Sequence, residues 1–369
     1  MAFSFGFSGD DIDIDEFEGN NEIPGVSSLR EKDHSLPELV KASQHDMDNW
    51  LSTLPSQISY NTLAIKGAHQ IARREIFDIR TQLMAEDSAG YDNEALIAGL
   101  EKGDIKPQFY EGGFKTWECA SDLARLVAGE TGEGYRGGQE EDTHFIELGA
   151  GTAVPSLALF ARLLSHTSGS EQREKTHFTF ADYNASVLRL VTLPNLLLTW
   201  HNSRAQPGPD LESQPQQTQE ELELDITPEL ITEFQNDLTQ RNVTVSFISG
   251  AWSPEFVDLV FSETHLNSDR KRHTLVLASE TIYSPSSLGA FSETLLDLMR
   301  RASSASTSTA QTRALVAAKK VYFGVGGGVD EFLAVLANVC PDGLDVQQKL
   351  DVQSEGVGRV VLEIGLANH

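Results

Sequence analysis

The sequence is poor in cysteine, in basic residues and in long apolar runs, and each shortage narrows the class of protein. Two cysteines, Cys119 and Cys340, occur in 369 residues. They are too few for a disulfide framework or a cysteine-rich metal site, which indicates a reducing compartment and two small core residues. No apolar run approaches the ~18 residues of a membrane-spanning helix, and no basic-then-apolar leader opens the chain. We therefore expect a protein that neither is secreted nor spans a membrane.

Basic residues are outnumbered by acidic ones. Lys and Arg total 28 against 55 for Asp and Glu, a net charge of -27. This balance disfavours attraction to nucleic acid or to an anionic membrane surface and favours a basic partner. Alternatively, the acids only solvate the surface and a tail. The 40% of hydrophobic residues suffices for one large or two small domains.

Composition divides the chain into three segments. Residues 1–35 open with FSFGF and then concentrate acids, which predicts a disordered acidic tail whose phenylalanines either dock on a partner or stay weakly ordered. Residues 36–109 carry helical periodicity, clearest in ARREIFDIRTQLM (72–84), and predict an N-terminal helical extension. Residues 110–369 form the main domain.

The main domain alternates strand and helix, which predicts an α/β fold with a mostly parallel sheet and helices on both faces. Two low-complexity inserts, 203–225 and 303–312, are expected to be solvated loops because neither can bury enough apolar area to offset its ordering entropy. The seven predicted strands are 143–148, 177–182, 243–249, 274–279, 313–319, 345–351 and 358–366.

The stretch HFIELGAGTAVPSLALF (144–160) predicts a strand, a tight turn and a helix. Its glycines, Gly149 and Gly151, serve either the turn alone or the close approach of a ligand. A dinucleotide fingerprint would need a third glycine where Val154 stands, followed here by Pro155, so an oxidoreductase is disfavoured. The remaining pattern, Glu147 and the two glycines, resembles the first motif of the seven-stranded S-adenosylmethionine-dependent methyltransferases.

Ligands of open α/β sheets bind over the carboxyl ends of the strands, so the residues that follow each strand are candidates for chemistry. Asp182 follows the second predicted strand and either accepts hydrogen bonds from a ribose diol or caps a helix. Trp252 follows the third and either stacks on an adenine or fills a corner. Glu280 and Tyr283 follow the fourth, at the mouth of the predicted sheet.

Several longer strings resemble one family, the protein-histidine N-methyltransferases that act on a histidine of large-subunit ribosomal protein number three. The resemblance covers nearly the whole chain and thins in the two inserts and over much of residues 18–70. The strings are YEGGFKTWECASDL (110–123), ARREIFDIRTQLM (72–84), DYNASVLRLVTLPN (182–195), ISGAWS (248–253), ASETIYSP (278–285) and AAKKVYFGVGGGVDEF (317–332).

The resemblance implies a Rossmann-like seven-stranded methyltransferase that binds S-adenosylmethionine and no metal. Glu280 and Tyr283 would orient the substrate imidazole so that its tele nitrogen is free, or would only shape the pocket. The cofactor-binding residues implied are Trp117, Glu147, Gly149, Gly151, Asp182, Tyr183 and Trp252.

The same resemblance implies a basic ribosomal substrate and no direct binding of nucleic acid or membrane. It also implies a monomer in the cytoplasm and nucleus. The expected effect is on ribosome biogenesis or translation. The basic run 269–273 is either a surface loop or a nuclear-import signal. A lysine methyltransferase of the same superfamily would share the cofactor motifs. A binding module without chemistry would need a broken cofactor site, whereas the residues of that site are intact.

Overall fold

The computed structural model describes most of the chain from residue 40 onward. The predicted acidic tail (1–35) lies outside the described residues, as does most of each insert. The described ranges are 40–65, 70–88, 96–97, 112–129, 141–165, 174–205, 222–262, 272–304, 312–341, 343–353 and 356–367.

Strands and helices alternate along the main domain, as the pattern predicts. The first elements are β1 (Ser43–His45), α1 (Met47–Leu51), β2 (Gln57–Leu63), β3 (Ile71–Arg74) and α2 (Ile76–Ser88). The next are α3 (Glu118–Gly129), β4 (Asp142–Leu148), α4 (Val154–Ser165), β5 (Thr176–Asp182), α5 (Ala185–Val187), a π-helical segment (Leu188–Thr192), α6 (Leu193–Ala205), β6 (Leu222–Asp225) and α7 (Pro228–Gln240). The last are β7 (Val243–Ser249), α8 (Pro254–Ser262), β8 (Arg272–Ser279), α9 (Pro285–Ser304), β9 (Thr312–Lys319), α10 (Val329–Val339), β10 (Leu344–Val352) and β11 (Arg359–Leu366).

The main sheet confirms the predicted α/β architecture. Its order is β1-β7-β5-β4-β8-β9-β11-β10, and the five central strands run parallel while β1, β11 and β10 pair antiparallel. All seven predicted strands are present, each within two residues of its predicted ends. The unpredicted β1 spans only three residues, too few to show a periodicity.

The main sheet separates two apolar cores. Because successive side chains of a strand point to opposite faces, Phe145 enters the core beneath α3, α4, α6 and α7, while its neighbour Ile146 enters the core beneath α8, α9 and α10. Full burial of one such side chain contributes about 1.5–3 kcal/mol. Both faces of the parallel strands are therefore covered, and ligand access is left to the strand ends. Among the described residues no helix has the length and apolarity needed to cross a membrane.

The N-terminal segment is less helical than the sequence predicts. Helix α2 lies within it, but β2 and β3 form a second, antiparallel sheet with β6, in the order β3-β2-β6. Strand β6 comes from the end of the insert predicted to be a solvated loop. The cause is a small local core in which Ile58 and Tyr60 pack against Leu224 and Leu198. Strands β2 and β3 pair locally, but the pairing of β2 with β6 joins residues far apart in sequence, which periodicity within 36–109 cannot reveal.

A buried arginine attaches this N-terminal region to the main domain. Arg74, at the end of β3, donates from Nε to Asp78 Oδ2 at 2.6 Å and from Nη1 to the carbonyl oxygen of Leu190 at 3.0 Å. Leu190 lies in the π-helical segment, a helix form that is rare and frequent at functional sites. The arginine thus links the end of β3 to this segment of the main domain.

Candidate functional site

The glycine turn after β4 requires glycine for two reasons. Gly149 and Gly151 have φ of 65° and 51°, in the left-handed region that favours glycine. A Cβ on Gly149 would lie 2.7 Å from Cγ2 of Thr281, and one on Gly151 would lie 3.1 Å from the Cα of Gly113. The turn is therefore packed between the segment that precedes α3 and the residues that follow β8.

Buried side chains hold the glycine turn in place. The N–H of Gly151 donates to Asp182 Oδ2 at 3.0 Å, and its carbonyl accepts from Thr192 Oγ1 at 2.7 Å. The carbonyl of Thr152 accepts from Asn195 Nδ2 at 3.1 Å. Thr192 and Asn195 were missed by sequence reasoning, although both lie in the string DYNASVLRLVTLPN and are polar residues in an otherwise apolar helix. Three contacts, from β5, the π-helical segment and α6, therefore hold the turn in place.

Asp182 holds backbone groups on both sides of it. Besides Gly151, its Oδ1 accepts the N–H of Asn184 at 3.1 Å, and Asn184 is the N-cap residue of α5. Asp182 therefore fixes the glycine turn and the backbone at the start of α5, a role similar to the predicted helix cap. Each carboxylate oxygen can accept more than one hydrogen bond, so the ribose role remains a prediction. The adjacent Tyr183 is half-buried at the same strand end.

Glu147 is a fully buried carboxyl group beneath the turn. Its Oε2 accepts the N–H of Ser156 at 3.0 Å, and no group in the described part of the chain bonds its Oε1. Burial raises the pKa of Glu147 to about 8, although the Ser156 hydrogen bond opposes the shift, and the negative charge of Asp182 adds to it. A buried acceptor without a partner costs about 1–3 kcal/mol. The site therefore offers an oxygen that a bound polar ligand would satisfy.

Glu280 has the second buried carboxylate oxygen that lacks a hydrogen bond from the described residues, although this oxygen is ion-paired with Lys319. Its backbone has φ of 57°, a strained conformation for a residue other than glycine, of the kind found at functional sites. The side chain is 10% exposed, and Oε1 lies 3.7 Å from Nζ of Lys319. Within the described residues Oε1 accepts no hydrogen bond.

Lys319, at the end of β9, links Glu280 to α3. Its Nζ lies 3.1 Å from Oε2 of Glu118 and 5.1 Å from the ring centroid of Trp117. Burial lowers the pKa of Lys319, but Glu280 and Glu118 raise it more, so the net shift is upward and the amine stays charged. Trp117 therefore lies beside Lys319. Glu280, Lys319, Glu118 and Trp117 are called here the Glu280 cluster.

Two neutral donors also neighbour the Glu280 carboxylate. Burial and the charge of Glu280 raise the pKa of the Cys119 thiol and of the Tyr322 hydroxyl well above their usual values. Both groups therefore keep their protons near neutral pH. The ring of Tyr283 lies 6.4 Å from that of Tyr322, centroid to centroid. Lys319, Cys119 and Tyr322 were not predicted, because their proximity to Glu280 depends on strand order.

The residues predicted from sequence form one site, with one departure. Gly149 contacts Thr281, the residue next to Glu280, so the glycine turn and the Glu280 cluster are neighbours. The ring of Trp252 instead packs edge-on against Phe256 and Phe291, at centroid distances of 5.2 and 6.0 Å. These contacts match the corner alternative for Trp252, while its adenine role remains a prediction.

Comparison with known proteins gives the family. No family model matches. The histidine protein methyltransferase 1 of Saccharomyces cerevisiae is 32% identical over 361 residues, which cover 91% of this chain and 90% of that protein. The protein of the same name from Schizosaccharomyces pombe is 31% identical over 98% of this chain and 92% of its own length. The chain belongs to the histidine protein methyltransferase 1 family.

Members of this family are protein-histidine methyltransferases, so this chain is an enzyme whose methyl donor is S-adenosylmethionine. Solved structures similar to this methyltransferase include the CurJ carbon methyltransferase, 12% identical with a TM-score of 0.37 over 78% of this chain and 71% of that one. The magnesium protoporphyrin IX methyltransferase of Synechocystis is also 12% identical, with a TM-score of 0.31 over 68% of this chain and 81% of that one.

The glycine turn of this methyltransferase fits the cofactor. The turn is packed and hydrogen-bonded, Glu147 beneath it has a free buried oxygen, and Asp182 stands at the adjacent strand end. Within the described ranges, no three His, Cys, Asp or Glu side chains cluster in a way that would hold a metal ion.

Proposed function

We propose that this chain transfers a methyl group from S-adenosylmethionine to the tele nitrogen of a histidine in a large-subunit ribosomal protein. The family supports protein-histidine methylation. The net charge of -27 supports a basic substrate, a description that suits ribosomal proteins. Large-subunit ribosomal protein number three is the substrate that the sequence resemblance implies.

The proposal rests on Oε1 of Glu280, which lacks a hydrogen bond within the described residues. It is a buried acceptor beside a cation, next to the residue that contacts the glycine turn. A neutral imidazole has one N–H and one nitrogen with a lone pair. An imidazole whose pros N–H donates to Glu280 therefore presents its tele nitrogen as the nucleophile.

Methyl transfer to an imidazole requires the enzyme mainly to position the two reactants. S-adenosylmethionine supplies an electrophilic methyl group on a sulfonium sulfur. Imidazole, with a reference pKa near 6.5, is a competent nucleophile at neutral pH, so no strong base is needed. The chain holds the tele nitrogen in line, an effect that reaches roughly 7–11 kcal/mol in model reactions. The Glu280 carboxylate also stabilises the positive charge that develops on the ring as the new N–C bond forms.

Six residues around the turn are proposed to hold the cofactor. Gly149 and Gly151 provide backbone for the methionine portion, Asp182 accepts from the ribose hydroxyls, and Glu147 accepts a donor beneath the turn. Trp117 and Tyr183 border the same strand ends. Trp252 is retained only as a candidate for the adenine face, because its ring packs on α8 and α9.

The alternative is lysine methylation by the same site. A lysine acceptor must lose a proton before it attacks, whereas a neutral imidazole already has a nitrogen with a lone pair. The curated relatives are named as histidine methyltransferases, which favours the imidazole. We further propose that the enzyme acts as a monomer, without direct nucleic-acid binding, in cytoplasm and nucleus, and that its product affects ribosome biogenesis or translation.

Mass spectrometry of large-subunit ribosomal proteins from cells with and without the enzyme tests the proposal. We expect a tele-methylhistidine in ribosomal protein number three that disappears with the enzyme and returns when the purified enzyme and S-adenosylmethionine are added. The protein with its acceptor histidine replaced by lysine serves as the control and should accept no methyl group. Loss of a methyl-lysine, or no change in any histidine, would contradict the proposal.

A further inference from the structure

A short hairpin beside the candidate site exposes apolar side chains to solvent. It spans residues 321–328, between β9 and α10, and is called here the glycine hairpin. Phe323 is 78% exposed, Val325 51% and Val321 48%. Contiguous exposed apolar side chains on a folded protein mark interaction sites more often than isolated ones do.

The backbone of the glycine hairpin is hydrogen-bonded. Tyr322 donates its N–H to the carbonyl of Gly327 at 3.0 Å and accepts from the N–H of Gly326 at 3.1 Å. Val321 and Gly328 form an antiparallel bridge. The exposure of Phe323 therefore belongs to an ordered hairpin whose own hydrogen bonds hold the side chain away from the core.

The glycine hairpin borders the place where the acceptor side chain must enter. A Cβ on Gly327 would lie 2.3 Å from the carbonyl oxygen of Tyr283, so the hairpin backbone rests against the proposed catalytic residues. Tyr322 is half-buried beside Glu280, whereas its neighbours Val321 and Phe323 are exposed. The turn from Phe323 to Gly326 is exposed throughout, so the tip of the hairpin faces solvent while Tyr322 at its base faces Glu280.

Exposed acidic side chains follow the hairpin in the chain, while Lys320, which precedes it, is paired with Asp351. Asp330 and Glu331, in the first turn of α10, are exposed, and the side chain of Glu118 beside Lys319 is 60% exposed. An apolar patch with acidic neighbours is complementary to a polypeptide that carries an apolar side chain beside basic ones. Because the enzyme modifies proteins, such a polypeptide must cross this edge of the site.

We propose that the glycine hairpin is the docking surface for the protein substrate, with Phe323 and Val325 packing on an apolar side chain of the basic segment that carries the acceptor histidine. This inference rests on the proposed function for the identity of the substrate. The hairpin contributes to binding of the protein, while the glycine turn binds the cofactor independently.

Steady-state methylation of purified large-subunit ribosomal protein number three by Phe323→Ser and Val325→Ser tests the surface. We expect KM for the protein to rise about tenfold in Phe323→Ser and less in Val325→Ser, in proportion to the apolar area lost. The dissociation constant for S-adenosylmethionine, measured by calorimetry, should be unchanged. Val346→Ser is the matched control, because Val346 is also exposed but lies near the start of β10, at the opposite end of the sheet, and its KM should equal that of the parent.

Equal KM values in parent and Phe323→Ser would overturn the docking surface, as would a change in oligomeric state of Phe323→Ser without a change in KM. If the parent enzyme itself leaves that ribosomal protein unmodified, the proposed substrate is wrong. The same comparison is then made with total basic ribosomal protein from cells lacking the enzyme, scored as methylhistidine. A smaller yield with Phe323→Ser than with Val346→Ser supports the surface, and equal yields overturn it.

Discussion

The glycine turn and the Glu280 cluster lie next to each other but differ in how completely their polar groups are paired. At the turn, the N–H and carbonyl of Gly151 and the carbonyl of Thr152 all bond buried side chains. In the Glu280 cluster, a buried carboxylate oxygen has no hydrogen bond within the described residues, and the adjoining hairpin exposes Phe323. The backbone of the turn is therefore paired without a ligand, whereas Oε1 of Glu280 has an ion pair with Lys319 but no hydrogen bond from the described residues.

The difference suits a methyltransferase that accepts a small cofactor and a large protein. A small ligand gains most from a rigid backbone cradle, since ordering that cradle on binding would cost affinity. A protein substrate brings its own apolar and polar groups, so the surface that binds it can have unpaired polar atoms and exposed apolar side chains before binding. Substitutions in the two regions should therefore affect different measurements.

The largest expected effect comes from Gly151→Arg in the glycine turn. The new side chain would begin 3.1 Å from the Cα of Gly113, displacing the segment that covers the turn, and we expect S-adenosylmethionine binding to be lost in calorimetry. Gly343→Arg is the matched control, since Gly343 also has positive φ, of 94°, but a Cβ there meets nothing within 4 Å. A folded Gly151→Arg enzyme with parental affinity would show that the turn does not hold the cofactor.

A large effect on rate alone is expected for Glu280→Gln. Loss of the charge that orients the imidazole should slow single-turnover methylation by about 100-fold, while the dissociation constant for S-adenosylmethionine stays within about twofold. Tyr283→Phe should act in the same direction more weakly. Equal losses in rate and affinity would assign these residues to the cofactor pocket instead, and no loss in either would leave them without a functional role.

A smaller effect on rate is expected for Lys319→Met. Its ammonium lies 3.7 Å from Oε1 of Glu280, and without it the carboxylate is less firmly placed, so we expect single-turnover methylation to fall by about tenfold. Lys319→Arg should restore most of the rate because the positive charge is kept. Lys320→Met serves as control, since Lys320 pairs with Asp351 at 3.0 Å. Parental rates in Lys319→Met would contradict the positioning role.

The smallest expected effect is the pH dependence of stability in Glu147→Gln. The folded pKa is raised from 4.5 to about 8, so between these values the native state holds a proton that the unfolded chain releases. The free energy of unfolding should therefore fall as pH rises through that window. Denaturation of the cofactor-free enzyme at several pH values should show a shallower fall in Glu147→Gln, but not in the exposed control Glu255→Gln. Identical slopes in parent and Glu147→Gln would contradict the burial effect.

Much of the main domain was predictable because buried parallel strands have continuous apolar sequences. Strand β4 and its glycine turn follow directly from HFIELGAG, and the positions of Asp182 and Glu280 follow from the rule that ligands bind at carboxyl ends of strands. The second sheet was not predictable, because β2 pairs with β6 across more than 150 residues. The periodicity of a short segment cannot predict a pairing with a strand so far away in the sequence.

By itself, the sequence determined the strand pattern, the glycine turn and the residue types at the strand ends, because these depend on local periodicity and on conformations that only glycine adopts readily. Only the tertiary structure decided which side chains meet there. Thr192 and Asn195 reach the turn because of how the π-helical segment and α6 pack, and Lys319 reaches Glu280 because β9 lies beside β8. Trp252 packs on Phe256 and Phe291 because α8 and α9 lie against the end of β7. Contacts between distant residues depend on strand order and helix packing, which are properties of the whole folded chain.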